Sequence, residues 1–185
     1  MRNSILLVDD EPDVLSSIKR ALIDENCDIY LANSGADGLK ILQQYEIKVV
    51  ISDEMMPCMT GSEFLSAVKV NYPETVRIIL TGQADINSAM RAINKGEIYR
   101  FFTKPWNDIE LRLTIRSALE KYNLEAENKK LLATVKRQAL DIKLIERRYP
   151  GISRLDRDES GNLVIPDISE DEFSETVSKW EQEFE

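Results

Sequence analysis

The chain of 185 residues, 43% hydrophobic and 31% charged, has the length and balance of one ordinary domain with an extension. No stretch approaches the roughly 18 apolar residues of a membrane span, Met1-Arg2-Asn3-Ser4 lacks a signal-peptide apolar region, and Cys27 and Cys58 stand in unrelated contexts, so the expectation is a reducing, cytoplasmic setting with no membrane contact. The net charge is −9 and histidine is absent, which excludes imidazole metal ligands, imidazole bases and phosphohistidine within this chain.

The first element is the apolar run Ile5-Leu6-Leu7-Val8, which delivers Asp9-Asp10 at its end. A helical pattern follows near 12–24, then Cys27-Asp28-Ile29-Tyr30-Leu31-Ala32, whose alternating polarity suits an edge strand, and a helix near 35–44. Val49-Val50-Ile51-Ser52 ends at Asp53, and a helix near 62–71 begins with Ser62 ahead of Phe64, Leu65 and Val68. Arg77-Ile78-Ile79-Leu80 ends at Thr81, and a helix near 84–94 opens at Asp85 and stops at Gly96. The run Tyr99-Arg100-Phe101-Phe102-Thr103 ends at Lys104, and the last helix starts near 107. Five βα units in about 120 residues predict an α/β fold, a doubly wound parallel sheet with helices on both faces.

The last helix runs on past the domain. From Trp106 to Tyr149 there is no glycine or proline, and Pro150-Gly151 then ends it. Leu124, Asn128, Leu131, Val135, Gln138, Ile142 and Ile145 follow heptad spacing, with Asn128, Val135 and Ile142 at a positions. An Asn at a favours two strands in register at some cost in stability, so a homodimer through this helix is expected. The alternative is a single amphipathic helix packed on its own domain. Residues 129–148 carry seven basic and two acidic side chains, and residues 151–185 carry three basic and eleven acidic ones. This asymmetry argues against direct nucleic-acid binding and lets the basic stretch meet an acidic partner, the tail of the same chain first of all.

The tail reads as a hairpin, Ile152–Leu155 and Asn162–Ile165 around Asp158-Glu159-Ser160-Gly161, then a helix opened by the capping box Ser169-Glu170-Asp171-Glu172. Phe173, Val177, Trp180 and Phe184 share one face of that helix, an apolar stripe expected to dock on the long helix or on a partner protein. Calcium binding by the Asp156–Asp167 loop is disfavoured, because the terminal bidentate Glu is missing. The three divisions are therefore 1–122, 123–149 and 150–185.

In open parallel sheets ligands sit beyond the carboxyl ends of the strands. Four strand ends then converge Asp9, Asp10, Asp53, Thr81 and Lys104 on one cleft. Crowded carboxylates repel unless a cation is present, and a hard ion such as Mg²⁺ needs only one or two of them. Asp53 can then act as a nucleophile toward a phosphoryl donor, with charge on the transferring oxygens met by the cation, Lys104 and the Thr81 hydroxyl. Met55, Met56 and Cys58 read as loop packing.

These residues carry a resemblance. Asp9-Asp10, Asp53 with Met56-Pro57 and Gly61, Thr81-Gly82 and Lys104-Pro105 resemble the receiver domain of bacterial two-component response regulators over residues 1–122. The resemblance implies a five-stranded flavodoxin-like sheet of order 2-1-3-4-5 and Asp53 as phospho-acceptor. It implies Mg²⁺ held by Asp9, Asp10, Asp53 and the Met55 backbone carbonyl, and Lys104 on the phosphoryl group. Thr81 and Phe101 would be the switch residues, and the Lys104-Pro105 bond would be cis. Glu54 and Gln83 resemble positions that tune dephosphorylation, against the alternative of ordinary exposed loop residues. The implied partner is a sensor histidine kinase or phosphotransfer protein, and the implied activity is at most self-phosphorylation from a phosphodonor and autodephosphorylation.

Residues 151–185 show no second phosphate loop and no metal motif and are too few for a helix-turn-helix, so no output domain is expected within this sequence. The reading is a stand-alone receiver acting through protein contacts. Its alternatives are the N-terminal fragment of a longer regulator, such as the cyclic-di-GMP phosphodiesterases whose receivers the Ile98–Trp106 segment resembles, and a phosphorelay carrier.

Overall fold

Apolar residues on both faces of a strand require cover on both sides, and this requirement builds the domain. The computed structural model describes residues 3–82 and 98–149. Its elements are β1 (Asn3–Val8), α1 (Pro12–Ala21), β2 (Cys27–Ala32), α2 (Gly35–Gln44), β3 (Val49–Asp53), α3 (Gly61–Asn71), β4 (Val76–Thr81), β5 (Arg100–Thr103) and α4 (Asp108–Arg148). The five strands form one sheet in the order β2-β1-β3-β4-β5, every pair parallel. The order expected from the resemblance is the one observed, and β2 is an edge strand as its alternation predicts. The expected helix near 84–94 lies outside the described residues, as do the hairpin, the calcium-like loop and the apolar stripe of the tail.

Period-two alternation divides the core between the faces. Ile5, Leu7, Val49, Ile51, Ile78 and Leu80 pack with Leu15 and Ile18 of α1 and Leu111, Ile115 and Leu119 of α4. Leu6, Val8, Val50 and Ile79 pack with Leu42 of α2 and Phe64, Leu65 and Val68 of α3. Two element ends differ from expectation. α1 stops at Ala21 rather than near 24: Leu22 is fully buried in the following turn, while Ile23 is 76% exposed, so the apolar pair does not extend the helical stripe. α3 is capped by Thr60 and not by Ser62. The Thr60 hydroxyl accepts the Glu63 N–H at 3.2 Å and the Glu63 carboxylate accepts the Thr60 N–H at 3.0 Å, a reciprocal capping box.

The chain divides into two compact units, Met1–Leu132 and Ala133–Glu185. The first holds the sheet and its helices. The described part of the second is the helical stretch from 133 to 148, with Tyr149 after it. Buried residues of α4 end at Tyr122, and every later residue to Tyr149 is exposed.

At the amino ends of the strands a buried lysine ties α4 to the sheet. Lys48 Nζ donates to Asn3 Oδ1 at 3.0 Å and Asn123 Oδ1 at 2.9 Å, and lies 5.7 Å from the Tyr122 ring centroid. The Tyr122 hydroxyl donates to Glu46 Oε1 at 3.0 Å. Burial, and then the Glu46 carboxylate, push the Tyr122 phenol from 10.0 up to about 12. In that window the folded state holds a proton that the unfolded chain has released, so stability contributed by Tyr122 is complete below pH 10 and is lost as pH rises through about 12. Urea midpoints measured from pH 9 to about 12 should fall less steeply for Tyr122→Phe than for wild type. Parallel curves for the two proteins would contradict this assignment.

Candidate functional site

The register of the sheet brings the polar groups together. Val8 pairs with Ser52, so the residues that follow, Asp9 and Asp53, leave adjacent strands side by side. Asp53 pairs with Leu80, which sets Thr81 beside it, and Thr81 pairs with Thr103, which precedes Lys104. Ligand oxygens of Asp9, Asp10 and Asp53 lie within 4.8 Å of one another. Asp9 and Asp53 are buried and Asp10 is exposed, so the cluster opens to solvent on one side.

Lys104 neutralises the inner pair. Its Nζ lies 2.6 Å from Asp53 Oδ1 and 3.0 Å from Asp9 Oδ2. The other oxygens are held by backbone, Asp9 Oδ1 accepting the Glu11 N–H at 2.9 Å and Asp53 Oδ2 accepting the Met55 N–H at 2.9 Å. Burial raises Asp9 above the usual carboxylate range, outweighing the Glu11 N–H and Lys104, and the Asp53 charge adds to the rise. Burial alone would depress Lys104, but its bonds to Asp53 and Asp9 and their charges win, and its pKa stands above the ordinary value. The donor set is all oxygen with one wet edge, which suits a hard divalent cation that retains waters.

The remaining expected residues are placed as follows. Thr81 is fully buried, and its hydroxyl donates to the Gly82 carbonyl at 3.2 Å. The Lys104 N–H donates to the Thr81 carbonyl at 2.9 Å, joining the ends of β4 and β5. Phe101 on β5 is half-buried against the core on the α2 and α3 face. The Lys104-Pro105 bond is cis. Of the three residues read as packing, only Met56 packs. Met55 is 67% exposed, and Cys58 is exposed with φ 67°, in the left-handed region. These two lie on the outward bend of the β3–α3 loop, where there is no core to join.

Glu54 is not an ordinary exposed loop residue. It is half-buried, and its carboxylate accepts both the N–H and the hydroxyl of Ser62, each at 2.9 Å. Sequence inspection missed this bond, although the two residues bracket the loop after Asp53. Gln83 lies outside the described residues. Gly61, the first residue of α3, is fixed by close approach: a Cβ there would stand 2.1 Å from the Asp53 carbonyl oxygen.

Residues 5–116 match the family described as response regulator receiver domain. The chain is 32% identical over 128 residues to the hydrogenase transcriptional regulatory protein HoxA of Cupriavidus necator, a match covering 69% of this chain and 26% of HoxA. It is 33% identical over 143 residues to the transcriptional regulatory protein GlrR of Escherichia coli, covering 77% of this chain and 32% of GlrR. Among solved structures, the signal receiver domain of an HD domain-containing protein from Pseudomonas fluorescens Pf-5 superposes with a TM-score of 0.63 at 38% identity, over 66% of this chain and 98% of that one. This chain thus spans about a quarter to a third of the length of those two curated relatives. With sheet order, strand-end carboxylates and family match in agreement, the chain belongs to the response regulator receiver domain family.

Proposed function

We propose that this chain is a two-component signalling switch whose Asp53 accepts a phosphoryl group from a sensor histidine kinase or phosphotransfer protein. The observation that carries the reading is the Asp53 carboxylate itself, at a strand end, with Lys104 Nζ 2.6 Å from Oδ1 and two further aspartates in ligand range. An Asp53 oxygen attacks phosphorus, a new O–P bond forms, and the bond to the donor breaks with its electron pair leaving on the donor. The all-oxygen donor set suits Mg²⁺, which Asp9, Asp10, Asp53 and the Met55 carbonyl would hold and which would supply positive charge for the transferring oxygens. Lys104 would follow the new phosphoryl oxygens, a reading supported by its ammonium lying 2.6 Å from Asp53 Oδ1. Thr81, whose hydroxyl bonds only its own neighbour's carbonyl among described contacts, is the residue free to turn toward them. Phe101, half-buried, is the side chain whose position reports the change. In this reading the receiver's own activity is at most self-phosphorylation from a phosphodonor and autodephosphorylation. With Mg²⁺ and acetyl phosphate the protein should gain one phosphoryl mass, and excess chelator should abolish the gain. Equal labelling with chelator would contradict the metal assignment.

Output runs through protein contact in this reading, in the cytoplasm, with the receiver over 1–122, a helical extension over 123–149 and an acidic tail over 150–185. No helix among the described residues is long and apolar enough to cross a membrane. The extension is the dimerisation element. Leu124, Leu131, Val135, Ile142 and Ile145 are 66, 60, 59, 56 and 48% exposed, an apolar seam that a second copy of the helix would cover. Light scattering at high micromolar concentration should give twice the mass of the chain, and Asn128→Val should raise the melting temperature while loosening the choice of oligomer. A monomeric mass with and without phosphorylation would sink the dimer. A second reading, the receiver portion of a longer regulator, is favoured by the short share of HoxA and GlrR that this chain spans.

A further inference from the structure

The loop from Glu54 to Thr60 leaves β3 directly after Asp53 and returns at α3. Glu54 closes it at both ends. Its N–H donates to the Leu80 carbonyl at 2.8 Å, and its own carbonyl accepts the Gly61 N–H at 2.9 Å. Its carboxylate binds the N–H and hydroxyl of Ser62 in the first turn of the eleven-residue α3. Unpaired first-turn N–H groups and the helix dipole both favour a negative charge there. One consequence is exclusion: although adjacent to Asp53, Glu54 is absent from the cluster of Asp9, Asp10 and Asp53. A second is shape. Met55, the next residue, donates its N–H to Asp53 Oδ2 at 2.9 Å, leaving Oδ1 with Lys104.

We propose that Glu54 is a positioning residue for phosphoryl transfer, acting through Ser62 to hold the Met55 N–H on Asp53 Oδ2. The bond fixes the carboxylate plane, so that Oδ1 and not Oδ2 meets the incoming phosphorus beside Lys104. The proposal rests on the reading of Asp53 as acceptor. Second-layer groups that orient a reacting or ligating side chain change activity by about 10-fold or more when removed.

The test uses the full chain, with acetyl phosphate as donor. Glu54→Ala should lower the maximal rate of phosphoryl incorporation by about 10-fold, leave half-saturation by acetyl phosphate unchanged, and leave Mg²⁺ affinity from Trp106 fluorescence within about twofold, since Glu54 is not a ligand. The Met55 amide resonance should shift. Glu54→Gln, which keeps an acceptor oxygen for Ser62, should restore most of the rate. Ser62→Ala should slow the reaction in the same sense by a smaller factor, and the double variant with Glu54→Ala should be no slower than Glu54→Ala alone. A wild-type rate in Glu54→Ala, an unmoved Met55 resonance, or a parallel loss of Mg²⁺ binding in Glu54→Ala and Glu54→Gln would each overturn the proposal. Failure of the underlying reading looks different, because the wild type itself would then take up no phosphoryl group at Asp53.

Discussion

Asp53→Asn should fold, bind acetyl phosphate no worse than wild type, and take up no phosphoryl group. The amide keeps one oxygen to accept from Lys104, and its NH2, the same size as Oδ2, loses the bond from the Met55 N–H without adding bulk, so the β3 end keeps its shape. What is lost is the nucleophile, because an amide oxygen does not form a stable acyl phosphate. The same change removes one of three clustered negative charges, whose mutual repulsion opposes folding when no cation is bound. Its melting temperature without metal should therefore be at least that of wild type, and Mg²⁺ should raise it less. Intact-mass spectrometry beside a thermal melt reads both effects. Full labelling of Asp53→Asn, or its unfolding, would contradict the account.

Lys104→Ala should have the larger effect on stability. The ammonium lies 3.0 Å from Asp9 and 2.6 Å from Asp53, both buried, and it is itself 24% exposed. Removing one member of a buried ionic cluster leaves the others uncompensated, which costs about 3 kcal/mol at neutral pH, the low end of the range because the lysine retains contact with water. Two conditions should restore stability. Mg²⁺ supplies the missing positive charge and stabilises by mass action. Acid neutralises Asp9, whose pKa burial already raises, so the deficit should shrink as pH falls toward the carboxylate range. The variant should still gain a phosphoryl group in Mg²⁺ but lose the accompanying change in Trp106 fluorescence, since the contact that couples phosphate to β5 is gone. Denaturant curves with and without Mg²⁺ measure the first effect. Wild-type stability of Lys104→Ala without metal would show that the ion pairs carry no weight.

The sheet was legible because its central strands are short apolar runs buried on both sides, as at Ile5–Val8 and Ile78–Leu80, and because helical patterns alternate with them, which a parallel sheet requires. The site was legible for the same reason: Asp9, Asp53, Thr81 and Lys104 each follow or end a strand, and parallel register does the rest. The end of α1 was not, since Leu22 and Ile23 continue the helical pattern on paper and only the three-dimensional neighbours send one inward and the other out. The Glu54–Ser62 bond was hidden because a loop carboxylate has many donors within reach, and only the closure of the loop selects one. The Thr60 capping box was present in the sequence, and Ser62 competed for the same role one turn boundary away. Exposure of the heptad seam beyond Tyr122 required knowing where the domain stops covering α4.

The most direct measurement traps the acyl phosphate. After incubation with Mg²⁺ and acetyl phosphate, borohydride reduces an aspartyl phosphate to homoserine, and peptide mass spectrometry reads the position. The account predicts homoserine at position 53, with Asp9 and Asp10 intact. Homoserine at another aspartate, or none in protein that has gained phosphoryl mass, would contradict it.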